Sequence, residues 1–243
     1  MHALKVVFVA AILLVVDAVS IDHDKVQPFA QREPVTLSEK LGVKYKPTMD
    51  DQEGCAVFPA VNAAGETNGG LKGSGGTTGC REAPLGAQVY GRSMWYEGKY
   101  AILYAWYFPN GFSADWPVRR HDWASAVVWL DDPEAASPTV SGLSYSTSDT
   151  KYDKEAPPSG DNACLASVNG GPYVTMVLEH AIPYFLGPMY LRCSGGGGDY
   201  DLIMWEQLTD AARMALNTAD FGEAEVPFND VNFEKRLKKA WPY

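Results

Sequence analysis

Residues 101–111 read AILYAWYFPNG and residues 118–124 read VRRHDWA. The first stretch is a strand sequence, since Tyr100–Phe108 is rich in aromatic and β-branched residues and Pro109 ends it. Trp106, Tyr107 and Phe108 stand in a row. Successive side chains leave a strand on opposite faces, so aromatic bulk lies on both sides of the sheet. The second stretch packs Arg119, Arg120, His121, Asp122 and Trp123 just before another strand, Ser125–Leu130. Ionisable clusters on loops between core strands are disproportionately functional. A local network in which an arginine pairs with Asp122 explains the same residues equally well, and local features leave both readings open.

Further strands are expected at Gln88–Tyr96, Thr139–Ser146, Pro172–Leu178 and Tyr184–Leu191. Asn110–Val118, the glycine-rich residues 62–82, Asp149–Asn162 and Gly195–Gly198 read as loops or a hairpin. Residues 21–50 are polar and interrupted by proline, with one short helix near Leu37–Leu41. Helical period appears late. In Leu202–Leu216 the residues Trp205, Leu208, Ala212, Ala215 and Leu216 share a face, with Asp199 or Asp201 as cap. A last helix, capped by Asp230, turns Phe233, Leu237 and Ala240 inward; Lys235, Arg236, Lys238 and Lys239 gather toward its end, as the helix dipole favours, and Pro242 stops it. The fold class is therefore mainly β with helices (α+β): a central antiparallel β-sandwich with helices packed outside.

The 243-residue chain opens with a short basic lead-in, an apolar run Val6–Val16, and small residues Ala18 and Ser20 at positions −3 and −1 of a cleavage site. That is the pattern of a signal peptide, residues 1–20, followed by a single domain over 21–243. The apolar run is shorter than the roughly 20 residues that a membrane span needs, and Asp17 interrupts it. Thirty acidic against 20 basic residues give a net charge of −10, which excludes a nucleic-acid partner that needs basic clusters. Cys55, Cys80, Cys164 and Cys193, an even number behind a leader, read as disulfides. Three connectivities are open, and Cys55–Cys80 with Cys164–Cys193 is the favoured one. Their spacing does not fit a zinc site.

A more specific resemblance rests on residues spread along the chain. Ile21-Asp22-His23-Asp24, Lys44-Tyr45-Lys46-Pro47, Gly54-Cys55, Pro59-Ala60-Val61, Gly69-Gly70-Leu71, Gln88-Val89-Tyr90 and Phe221-Gly222 fall in order around the two central motifs. Together they resemble the NLP family (NPP1 type), the necrosis- and ethylene-inducing-like proteins of oomycetes, fungi and bacteria. The family reads AIMYSWYFPKD and GHRHDWE where this chain has its two motifs. The resemblance implies a β-sandwich similar to actinoporins and fungal lectins, and secretion into the host apoplast as a virulence effector of a plant pathogen. It also implies a bound Mg²⁺ or Ca²⁺ and attachment to plant plasma-membrane sphingolipids, the glycosylinositol phosphorylceramides, leading to cytolysis and necrosis. The first motif and its flank, residues 101–124, are further implied as a pattern for plant surface immune receptors; Ala101, Tyr104, Trp106, Tyr107, Phe108 and Pro109 match it, as do Arg120, His121, Asp122 and Trp123 in the second motif.

The departures fall on the metal. The family's four cation ligands map to Gly111, Arg119, Asp122 and Ala124, and only Asp122 is retained. Hard cations need several oxygen ligands, mostly carboxylate, and Arg119 stays charged at any relevant pH. The expectation is a non-cytolytic member without a metal, in which Arg119 fills the vacated site against Asp122; the alternative is that Asp115, Glu179 or backbone carbonyls rebuild it. Two other classes remain. A metal-independent glycolipid- or carbohydrate-binding module would use exposed aromatics such as Trp116, Tyr145 and Tyr152, and a still membrane-active toxin would need the site rebuilt. An enzyme is disfavoured. Residues 142–146 (GLSYS) only graze a nucleophile motif, the glycine runs lack a phosphate-loop ending, His121 and Asp122 point opposite ways along a strand, and His23 and His180 are isolated, the latter beside Glu179 near an expected turn.

Overall fold

The structure, a computed structural model, describes residues 18–243 apart from 52, 72–75, 114–115, 159–164, 168–173, 182–188 and 194–195. Its elements in chain order are β1 (Ser20–Ile21), α1 (Leu37–Lys44), β2 (Thr48–Asp50), β3 (Thr67–Asn68), β4 (Val89–Tyr96), β5 (Lys99–Phe108), β6 (Gly111–Ser113), β7 (Trp116–Arg119), β8 (Asp122–Leu130), β9 (Val140–Ser146), β10 (Tyr152–Glu155), β11 (Leu165–Ser167), β12 (Val174–Ala181), β13 (Tyr190–Cys193), β14 (Leu202–Met204), α2 (Asp210–Thr218) and α3 (Phe233–Ala240).

Strand β5 lies inside a six-stranded sheet of order β10-β9-β8-β5-β4-β14. Every residue from Tyr100 to Phe108 is buried. One face carries Leu103 and Tyr107, continued by Tyr90 of β4 and by Trp123 and Trp129 of β8. It packs on the C-terminal segment, where Trp123 meets Phe221 and Phe228 edge-on and Trp129 meets Trp241. The other face carries Tyr104 and Phe108. There the Tyr104 hydroxyl donates to the Gly42 carbonyl of α1 at 2.8 Å, and the Phe108 ring stacks on His180 of the second sheet. That sheet runs β11-β12-β13, with β2 added parallel to β12. Sheet on sheet, with helices outside, is the expected arrangement, although β14–β4, β2–β12 and β1–β3 pair in parallel. Cys55 and Cys80 are bonded to each other. Cys193 is also disulfide-bonded, while Cys164 lies outside the described residues.

Several expectations need correction. Asn110–Val118 holds the hairpin β6–β7, whose strands are too short and too rich in Gly and Pro to show a period. Asp149–Asn162 contains β10: Tyr152 is buried and its hydroxyl lies 2.6 Å from Ser125 Oγ, while Asp153 and Lys154 face water on the sheet edge, where charge protects against further pairing. Leu202–Leu216 is not one helix. Leu202–Met204 pairs with β4, Trp205–Gln207 forms a 3₁₀ turn, and α2 starts only after Thr209, whose hydroxyl accepts from Ala212 N. Asp201 and Asp199 are engaged elsewhere, by Gln31 N and Lys46. Asp230 likewise does not cap α3; it pairs with Arg92, and Asn232 occupies the cap position. The inward residues Phe233, Leu237 and Ala240 are as expected, but Arg236 is buried against Glu225 rather than lining a basic end.

Candidate functional site

Strand register builds the site. Phe108 of β5 pairs with Asp122 of β8, and Trp106 pairs with Ala124. Just beyond, Gly111 of β6 pairs with Arg119 of β7. Residues 111, 119, 122 and 124 therefore gather at one end of the central sheet. Alternation sends Asp122 toward the second sheet and His121 and Trp123 toward the C-terminal face.

Arg119 fills the space between these residues. Its guanidinium donates to Asp122 Oδ1, and also to both oxygens of Asp149, at 2.7 and 3.0 Å. The Arg119–Asp149 contact is the two-pronged geometry in which guanidinium and carboxylate match best. Gly111 leaves room for the arginine stem: a Cβ there would lie 2.7 Å from Arg119 Cγ and 2.8 Å from its Nε. A side chain at 111 and the present position of Arg119 exclude each other. Asp122 is 2% exposed and also accepts from the Trp123 amide at 2.8 Å; its second oxygen lies 3.8 Å from His180 Nε2.

Burial pushes the Asp122 carboxyl up, to about 7, against the pull of Arg119 and the Trp123 amide; the neighbouring Asp149 charge adds to the rise. Burial first, and then Arg119, lower His180 to about 3, so its contact with Asp122 is made by a neutral ring. His121 is lowered to about 4 by burial and by Arg120. Its Nδ1 lies 2.6 Å from the Tyr107 hydroxyl, which donates in turn to Asn68 Oδ1 at 3.2 Å. His121 and Asp122 thus take separate partners on opposite faces of the sheet.

The remaining sequence candidates sort by burial. Ala101, Tyr104, Trp106, Tyr107, Phe108 and Pro109 are all buried, and Arg120 reaches the Gly69 carbonyl from the surface. Ser144 bonds Trp129 Nε1 and the Ala240 carbonyl, which is a structural role. His23 meets the Gly79 carbonyl. Glu179 and His180 lie in β12 rather than at a turn; Glu179 is paired with Arg192, and Asp115 lies outside the described residues. Tyr145 and Tyr152 are buried, whereas Trp116 is 72% and Val118 59% exposed. Among the described residues, no group of three or more His, Cys, Asp and Glu side chains is gathered as metal ligands would be. Sequence reading missed Asp149, because its segment looked like a solvated loop; an arginine next to a single carboxylate was the only hint that a second acid should be near. It missed the role of His180 because nothing local marks it.

Removing one member of a buried pair leaves the other charge stranded, at a cost of about 3–5 kcal/mol. Arg119→Met should therefore destabilise the protein by that order at pH 8 in urea unfolding. A carboxyl raised by burial contributes stability below its unfolded value of 3.8 and loses it as pH rises through about 7. Without the arginine it rises further, so the deficit of the variant grows with pH and shrinks at pH 5. Arg119→Met/Asp122→Leu should recover most of the loss; a double variant no better than the single one would show that the pair is not the source.

Residues 39–240 match the family described as "Necrosis inducing protein (NPP1)". The chain is 44% identical to "NLP effector protein Pc109174" of Phytophthora capsici, over 98% of each chain. It is 46% identical to "NLP effector protein 3" of the same organism, over 94% of this chain and 93% of the relative. Among solved structures, a non-toxic protein named HaNLP3 superposes with a TM-score of 0.81 at 44% identity, covering 91% of this chain and 99% of its own. NLPPya in complex with mannosamine superposes at 0.80 and 38% identity, over 91% and 99%, and NLPPya has also been solved with glucosamine. The chain belongs to the NPP1 family of necrosis-inducing proteins, the NLP effectors.

Proposed function

We propose that this chain is a secreted NLP effector without a divalent-cation site, and that it does not lyse plant cells. The observation that carries this reading is the position of Arg119. The cation expected from the family resemblance does not fit the residues present: Gly111 and Ala124 offer no side-chain ligand, Asp122 is engaged by Arg119, and the guanidinium repels a cation. Without an ion, attachment to sphingolipid head groups loses its electrostatic anchor. A relative described as non-toxic shares the fold, so the scaffold alone does not entail killing. The apolar leader and the disulfides suit an extracellular protein. No catalytic role is assigned, because the ionisable groups here are committed to one another.

A second reading has one observation in its favour. Trp116 and Val118 project from the outer face of β7, next to Arg119, and an exposed indole is a stacking platform for sugar rings. Relatives solved with amino sugars suit a head-group subsite that needs no metal.

Purified protein infiltrated into dicot leaves is expected to leave them intact at doses where a cytolytic relative kills, and titration with Mg²⁺ or Ca²⁺ should give no heat of binding. Necrosis at a comparable dose would sink the proposal. For the second reading, binding to glycolipid vesicles should survive chelator and fall at least tenfold in Trp116→Ala; chelator-sensitive binding would count against it. The immune pattern is a separate matter. Its residues are buried in β5, so a synthetic peptide of residues 101–124 should trigger ethylene production in a responsive plant, while the folded protein should do so only after proteolysis. A silent peptide would dismiss the role.

A further inference from the structure

The signal-peptide pattern places cleavage after Ser20, but the same segment offers a second bond. Cleavage between Ala18 and Val19 puts Ala18 at −1 and Val16 at −3. The two choices differ by Val19 and Ser20, and the fold uses both residues.

Strand β1 runs parallel to β3, with Ser20 opposite Thr67 and Ile21 opposite Asn68. Thr67 N donates to the Val19 carbonyl at 2.8 Å, and Gly69 N donates to the Ile21 carbonyl at 2.8 Å. Thr67 is 4% exposed with this segment in place, so its amide is held by the Val19 carbonyl and not by water. Gly69 is shaped to this contact: a Cβ there would lie 2.8 Å from Ile21 O and 2.9 Å from Ser20 Oγ. The pairing also reaches the site. Asn68, next to Thr67, donates to the His23 and Pro59 carbonyls, and its Oδ1 accepts from Gly70 N and from the Tyr107 hydroxyl that meets His121. A chain starting at Ile21 loses the Val19 acceptor and places an α-ammonium within the two-residue pairing. A chain starting at Val19 keeps every one of these bonds.

We infer that the leader is removed between Ala18 and Val19, so that the mature chain begins at Val19 and its first three residues complete the β1–β3 pairing. The inference rests on the reading of the chain as secreted, and the experiment separates the two. The 243-residue chain is expressed in a secreting eukaryotic host, and the intact mass and N-terminal sequence of the protein in the medium are determined. The expected product starts at Val19. A product starting at Ile21, or at any other residue, overturns the inference while leaving secretion standing; a chain that keeps its leader or does not reach the medium overturns the secretion reading and the inference with it. Chains made directly from Val19 and from Ile21 supply the structural arm. The Thr67 amide should exchange at least tenfold faster in the shorter chain, and equal protection would remove the ground for the inference.

Discussion

Strand β5 has no face that meets water: from Tyr100 to Phe108 each side chain is buried, alternately against the C-terminal segment and against the second sheet with α1. A strand in that position fixes the register of its neighbours, because a slip of one residue would exchange Tyr104 and Phe108 with Leu103 and Tyr107 across two differently shaped walls. The Tyr104 hydroxyl has its acceptor on α1, and the Tyr107 hydroxyl has Asn68 and His121 on the opposite side. A slip would bury both without partners, and unsatisfied buried polar groups cost more than the bonds themselves return. The register of β5 against β8 is what brings Asp122 opposite Phe108 and lets the next hairpin return Arg119 to Gly111. The site is thus a consequence of core packing, and its residues can change chemically without moving.

This separation of scaffold from site explains what could be read from the chain alone. The long strands β4, β5, β8 and β9 show themselves through aromatic and β-branched runs, and α3 shows itself through Phe233, Leu237 and Ala240. What stayed hidden depends on pairing between distant segments. Strand β14 carries only Leu202–Met204, and its apolar residues merge with the period of the helix that follows; only its parallel partner β4 makes it a strand. The hairpin β6–β7 and the edge strand β10 are short, polar or proline-bearing, so tertiary contact and not propensity holds them. In the site, the Arg119–Asp122 contact was legible because i and i+3 here flank a turn into a strand, and because Arg119 departs from the family pattern beside the retained Asp122. Asp149 was not legible, since its approach depends on where the chain runs after β9.

The identity of the residue at 119 then decides what the site can do. A divalent ion held by carboxylates keeps coordination positions free for an outside oxygen, which is how such an ion can bind a head group as well as its own protein ligands. A guanidinium has a fixed number of donors in one plane. Here they are directed at Asp122 on one side and at both oxygens of Asp149 on the other. Two carboxylates are brought together by one covalently attached charge, and the loop after β9 is tied to β8 by the same contact. Arg119 therefore does structural work that an ion could also do, joining segments whose carboxylates would otherwise repel. The absence of a side chain at Gly111 belongs to the same arrangement, because any residue there would compete with the arginine stem for one volume. An acid placed at 111 alone would force Arg119 out of its contacts with Asp122 and Asp149, so packing as well as charge holds the arginine here.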